Sequence, residues 1–153
     1  MSPPPVVDNM EVTISSVKKL GSSIIDPINK KTITTNGEYI LVDMNIKNVG
    51  TRKYQSLDEF ELRDAQGRIF DPLDSYNSSA ILRYTGLDKV NDFYLNLAKT
   101  EPGDSSHFIN IFEVPKDSMG LKLRVSGFKD YGFFTLNYHF DNQINIDLGL
   151  DSQ

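Results

Sequence analysis

A run of alternating apolar and polar residues between positions 39 and 48 restricts the fold more than any other feature of this chain. Its apolar members occupy every second position: Ile40, Val42, Met44 and Ile46. Its polar members occupy the positions between them: Asp43, Asn45 and Lys47. Because successive side chains of a β-strand point to opposite faces, the pattern predicts a strand with one face on a core and the other in water.

Shorter segments with the same period of two recur along the chain. We expect strands at positions 10–17, 60–63, 93–97, 107–114, 121–125, 134–140 and 144–148. Residues that favour turns separate several of these segments, among them Asn36-Gly37 and Asp64-Ala65-Gln66-Gly67. Residues 20–31 are interpreted as a polar loop. Strands spaced in this way predict an all-β fold, a sandwich or barrel of antiparallel strands rather than alternating strand–helix units.

One folded domain is expected at residues 10–149, because a chain of 153 residues can bury a core of ordinary size. Residues 1–9 include three consecutive prolines and are interpreted as a proline-rich linker or tail, and residues 150–153 as a short tail. The longest irregular stretch runs from Asp71 to Asp92. A stretch of this length is either functional or contains a short helix, which we place within residues 75–90.

Composition and charge restrict the function. The chain carries a net charge of −5, and an acidic surface repels phosphate, so we expect no nucleic-acid partner. The absence of cysteine excludes disulfides and thiolate metal sites. Since no apolar run approaches the roughly 18–20 residues that a spanning helix needs, a membrane would be contacted only through an anchor absent from this chain.

The sequence offers little that catalysis could use. His107 and His139 each stand in a predicted strand beside core-facing residues, so we expect both side chains to point outward into solvent. The chain contains neither the Gly-x-Ser-x-Gly motif of hydrolases nor a glycine-rich phosphate loop. These observations favour a non-enzymatic protein.

Oxygen-bearing side chains suggest one cation site. Asp71, Asp74 and Asn77 stand within seven residues of the irregular stretch, and calcium prefers carboxylate and amide oxygens supplied by loops. A second set lies near the C-terminal end: Asp141, Asn142, Asn145 and Asp147. Neither set matches the twelve-residue loop of calcium-binding helix pairs, and Asp and Asn also populate ordinary turns. We therefore predict no cofactor, and calcium at Asp71, Asp74 and Asn77 belongs only to an alternative function.

Aromatic residues of the same stretch suggest a contact surface. Tyr76, Tyr84 and Tyr94 lie in or beside it, and tyrosine suits surfaces that are partly apolar and partly wet. Exposed together, they would bind a protein or a cell-surface polymer. The alternative is that these rings close the open ends of the sandwich.

Five short motifs occur in an order that is similar to a known family. They span residues 11–14, 37–50, 60–67, 101–104 and 112–117. The set resembles a widespread family of bacterial and archaeal cell-surface lipoprotein domains of unknown function, itself similar to the mycobacterial secreted immunogenic proteins. The resemblance implies an immunoglobulin-like antiparallel β-sandwich at the cell surface, and it implies no catalytic residues.

Two departures from that family bear on function. The resemblance implies an extracellular or cell-envelope protein. Because the family's signal peptide and lipidated cysteine are missing here, we expect that the export segment is absent from this chain. The stretch from 71 to 92 is longer and more aromatic than the family needs, which makes it the expected place of individual function.

The predicted function is an exported, non-enzymatic cell-envelope domain that contacts a protein or surface polymer. The alternative is a small-ligand or calcium-binding extracellular module.

Overall fold

The computed structural model describes residues 3–7, 9–51, 54–56, 60–87, 99–126, 128–130 and 143–150. Within these ranges every strand pairing is antiparallel, and one helix is present. In chain order the elements are β1 (Val6–Val7), β2 (Met10–Ile25), β3 (Thr32–Asn48), β4 (Tyr54–Ser56), β5 (Phe60–Arg63), β6 (Ile69–Phe70), α1 (Ser75–Thr85), β7 (Lys99–Thr100), β8 (Ser105–Val114), β9 (Lys122–Ser126), β10 (Phe128–Asp130) and β11 (Gln143–Asp147).

The predicted all-β fold is confirmed. One sheet has the strand order β1-β2-β3-β8, another has the order β11-β9-β5-β6, and a short ladder has the order β10-β4-β7. The strands predicted at 60–63, 107–114, 121–125 and 144–148 correspond to β5, β8, β9 and β11. Those predicted at 93–97 and 134–140 lie outside the described residues.

The two four-stranded sheets pack face to face around one apolar core. The alternating residues of β3 supply one side of it, and β5 and β9 supply the other, with the following buried members: Ile40, Val42, Met44, Ile46, Phe60, Leu62, Leu123 and Val125. The inward positions are those that the period of two assigned to the core. The arrangement is therefore a β-sandwich.

The second face of β3 is not open to water along its whole length. Tyr39 and Leu41 are buried there, in a second apolar cluster that includes Ile81 and Leu82 of α1. Only the far end of this face follows the prediction, because Asn45 and Lys47 are exposed and Asp43 is partly buried. The helix thus forms a third layer, outside the first sheet.

The short helix predicted within residues 75–90 is confirmed as α1, and its ends are fixed by local capping. Asp74 stands at the N-cap with extended backbone, and its side chain accepts a hydrogen bond from the backbone N of Asn77 at 2.8 Å. Gly86 ends the helix in the left-handed conformation, with φ at 76°. The helix ends because this conformation cannot continue it, and glycine is favoured at the position because a side chain there would be strained.

The loop predicted at residues 20–31 is largely wrong. β2 continues to Ile25, and only residues 26–31 form the turn that leads into β3. The backbone N of Asp26 donates to the carbonyl oxygen of Lys31 at 2.9 Å, which closes this turn. Gly21, with φ at 82°, stands at a register shift that lets β2 bend and continue. Because most residues around the bend are polar, the sequence there lacks the alternation that would indicate a strand.

The turn predicted at Asn36-Gly37 is also wrong, because both residues lie inside β3. The pairing partners Gly21 with Tyr39 and Ser23 with Thr34 place four residues of β3 opposite Ser22 alone, which is a bulge larger than the usual two residues opposite one. The turn predicted at 64–67, by contrast, is confirmed. There the backbone N of Gly67 donates to the carbonyl oxygen of Asp64 at 3.0 Å.

Both predicted domain boundaries need small corrections. β1 pairs with β2 and its Val7 is buried in the core, so part of the proline-rich segment belongs to the sheet. At the other end Leu150 is also a buried member of the core. The folded unit therefore includes residues on both sides of the predicted 10–149 range.

Gly37 provides a test of the close approach between β3 and the end of β8. A Cβ atom at this position would lie 1.9 Å from the carbonyl oxygen of Val114, closer than any real contact. We expect Gly37→Ala to lower the free energy of unfolding by about 1–3 kcal/mol, because backbone must move to admit the methyl group. Urea denaturation measures this. Asn36→Ala is the control, since Asn36 is exposed; an equal loss in both variants would contradict the close approach.

Candidate functional site

A groove of about 480 Å³ lies between the β2–β3 hairpin and α1. The hairpin contributes Asp26, Asn29, Lys31, Thr32 and Ile33 to its lining. The helix contributes Tyr76, Asn77, Ser79, Ala80 and Arg83. Because Ala80 is buried and Ile33 belongs to the second apolar cluster, the groove lies directly above that cluster.

An ion pair joins the two walls of the groove. Arg83 donates from Nε to Asp26 Oδ1 at 3.1 Å and from Nη2 to Asp26 Oδ2 at 2.5 Å. This two-pronged geometry is the strong form of the arginine–carboxylate contact. Asp26 is only 1% exposed, and its Oδ1 also accepts from the backbone N of Ile28 at 3.0 Å. The pair therefore holds the hairpin against the helix.

The environment of Asp26 lowers the pKa of its carboxyl from 3.8 to about 2. The hydrogen bonds from the Arg83 side chain are the largest cause, and the backbone N–H of Ile28 adds to them. Burial acts in the opposite direction and is outweighed. Asp26 is consequently ionised at neutral pH, as the pairing with Arg83 requires.

Two of the three tyrosines predicted to form a contact patch stand exposed on α1. Tyr76 is 73% exposed and borders the groove, and Tyr84 is 52% exposed. Positions eight apart lie on similar sides of a helix. Ile28, at the tip of the hairpin, is 73% exposed and adds an apolar side chain to the same end of the molecule. Tyr94 lies outside the described residues.

The residues of the predicted calcium site serve different parts of the fold. Asp74 caps α1, and its Oδ2 accepts from Nδ2 of Asn77 at 3.0 Å. Asn77 borders the groove, whereas Asp71 borders a separate depression of about 600 Å³ beside Gly37. Across the described ranges, no three His, Asp or Glu side chains come together in a way that could hold a metal ion. Calcium binding through Asp71, Asp74 and Asn77 stays a prediction.

Other residues singled out in the sequence take structural positions. His107 lies on the outer face of the first sheet, partly buried, and its Nε2 contacts a carboxylate oxygen of Asp43 on β3. Asp147 accepts a hydrogen bond from the backbone N of Gly149 at 2.8 Å. His139, Asp141 and Asn142 lie outside the described residues.

Sequence reasoning missed the hairpin wall of the groove. The sequence pattern places Asp26, Asn29 and Lys31 in a polar loop and includes Arg83 only as a member of the short helix within residues 75–90. Asp26-Pro27 and Asn29 are turn-forming residues that mark a tight hairpin. Nothing in the sequence indicates that Arg83, 57 residues later, would contact Asp26.

Helix α1 has 11 residues. In the described part of the chain, no helix is long and apolar enough to cross a membrane.

Fold and groove together define an all-β sandwich with one helix packed on its outer face. The yjhA protein from Bacillus subtilis has a similar crystal structure, with a TM-score of 0.62 over 96% of this chain and 99% of that one, at 15% identity. A conserved hypothetical protein from Bacillus anthracis is also similar, with a TM-score of 0.54 over 82% of this chain and 89% of that one, at 13% identity. At these identities the likeness shows the fold alone.

No protein-family model matches the chain, and no curated protein matches it in sequence.

The buried ion pair predicts a specific dependence of stability on pH. The pKa of Asp26 is lowered in the folded state. The ionised carboxylate therefore contributes fully to the free energy of unfolding above pH 3.8, and this contribution is lost as the pH falls towards 2. We expect the gap in melting temperature between the native protein and Asp26→Asn to narrow between about pH 5 and pH 2. Calorimetry at several pH values measures it. Asn29→Ala, a neutral change in the same turn, should retain the native profile; a gap that stays constant would contradict the assignment.

Proposed function

We propose that the chain is a non-enzymatic domain of the cell envelope that binds a protein or a surface polymer through α1 and the β2–β3 hairpin. The observation that carries the proposal is the exposure of Tyr76, 73% of whose surface is open, at the border of a groove. An exposed aromatic side chain beside a concave surface is typical of binding sites.

The rigidity of the groove supports this function. Its helix wall is capped at both ends, and its two walls are joined by the Asp26–Arg83 pair. Binding to a surface that is already ordered avoids the entropic cost of ordering it. A ligand held between the hairpin and the helix would therefore lose less binding free energy to ordering of the protein.

The proposal places the chain among the immunoglobulin-like lipoprotein domains whose motif order it resembles. Two of those motifs meet in the fold: the backbone N of Asn48 donates to the carbonyl oxygen of Asp104 at 3.0 Å, and that of Gly103 donates to Asn48 O at 2.8 Å. The end of β3 and the turn at 101–104 thus depend on each other. The extracellular or cell-envelope location that we propose rests on the order of the motifs.

The binding surface is tested with isolated bacterial envelopes and fluorescently labelled protein. We expect the double variant Tyr76→Ala, Tyr84→Ala to lose at least about tenfold in affinity, since each truncation removes an exposed aromatic contact. Met119→Ala is the matched control, because Met119 is 62% exposed and lies outside the groove and α1. Sedimentation of envelopes measures the bound fraction. Undiminished binding by a correctly folded double variant would exclude this surface.

The alternative, a calcium-binding module, has its own test. Calcium bound only to the native state through Asp71, Asp74 and Asn77 would raise the melting temperature as its concentration increases. A scan with millimolar calcium, with EDTA as the control, measures the shift. An increase that Asp71→Asn abolishes would support the alternative, and an unchanged melting temperature would eliminate it.

A further inference from the structure

The groove between the hairpin and α1 presents two amide side chains whose orientation is fixed by the protein. Asn29 Oδ1 accepts from the backbone N of Lys31 at 2.9 Å. Because a backbone N–H can only donate, the oxygen end of this amide is engaged and the NH₂ end remains to serve as a donor. On the opposite wall Asn77 Nδ2 donates to the Asp74 carboxylate at 3.0 Å, which leaves the Asn77 carbonyl oxygen as an acceptor. Since both residues line the groove, a donor is available on its hairpin wall and an acceptor on its helix wall.

The charge of the groove is nearly balanced. Among the described residues that line it, the ionic side chains are Asp26, Arg83 and Lys31. Asp26 and Arg83 neutralise each other, and Asp26 is 1% exposed. Polyanions and strongly charged peptides are bound by several like charges acting together, which this lining does not supply. The chemistry favours an uncharged ligand rich in hydrogen-bonding groups.

An apolar surface completes the groove. The Tyr76 ring is 73% exposed at its border, and Ile33 and Ala80 contribute to its lining. A tyrosine offers a broad apolar face with a polar hydroxyl at its edge. A sugar ring has matching properties: one face presents C–H groups, and each hydroxyl at its rim both donates and accepts a hydrogen bond.

We propose that this groove binds an uncharged saccharide chain, with a sugar ring against Tyr76 and sugar hydroxyls between the amides of Asn29 and Asn77. The inference rests on the proposed function and narrows its surface polymer to a neutral polysaccharide. Protein partners become an outcome of the test.

The test titrates the full chain with defined probes by isothermal calorimetry. The neutral probes are chitotetraose, maltohexaose, xylohexaose and the deproteinised neutral polysaccharide of the envelope; the charged comparators are a hexauronate and poly-glutamate. We expect at least one neutral probe to bind and Tyr76→Ala to weaken it about tenfold or more. Asn29→Ala should weaken it as well, because the donor on the hairpin wall is removed. Met119→Ala is the control, since Met119 is exposed and lies outside both the groove lining and α1, and the affinity of this variant should equal that of the native chain.

Several results would overturn the saccharide proposal. They are binding to the charged comparators only, failure of every neutral probe to bind, and equal losses of affinity in Tyr76→Ala and Met119→Ala. The envelope-binding measurement distinguishes failure of this proposal from failure of the proposed function. Envelope binding that is protease-sensitive and still depends on Tyr76 would retain the proposed function and reject the saccharide. Loss of both envelope and saccharide binding would reject both.

Discussion

Burial of β3 on both faces is the constraint on which the rest of the structure depends. Ile40, Val42 and their neighbours on one face belong to the core shared with the second sheet, and Tyr39 and Leu41 on the other belong to the cluster beneath α1. A strand buried on both faces in this way needs a cover on each side. The second sheet covers one face of β3, and α1 covers part of the other. The groove exists because α1 packs beside the β2–β3 hairpin.

The position of α1 is fixed by contacts of very different kinds. Ile81 and Leu82 bury apolar surface, which favours packing without specifying a direction. The Asp26–Arg83 pair is directional and sets the helix against the hairpin. Since Arg83 stands on the helix and Asp26 in the turn, the same contact that orients α1 also joins the two walls of the groove. The candidate binding surface is therefore part of the packing of the fold.

Sequence reasoning succeeded where the signal is local. The inward face of β3 and the turn at Asp64 depend on neighbouring residues, and both appear in the structure as predicted. It failed at residues 20–31 and at Asn36-Gly37, where tertiary pairing overrides local preference. Gly37 illustrates the reason: its lack of a side chain meets the need for close approach to Val114, 77 residues away, and the sequence alone interprets it as a turn.

The sequence by itself determined the all-β class and the inward residues of the central strand, and it indicated a short helix within residues 75–90. These properties follow from periodicity and capping, which act over a few residues. Only the tertiary structure decided that α1 packs on the outer face of the first sheet, that Asp26 pairs with Arg83, and that Asn29 and Asn77 face one groove. Those relations join residues about 50 positions apart, and their energies arise from burial and geometry that exist only after the chain has folded.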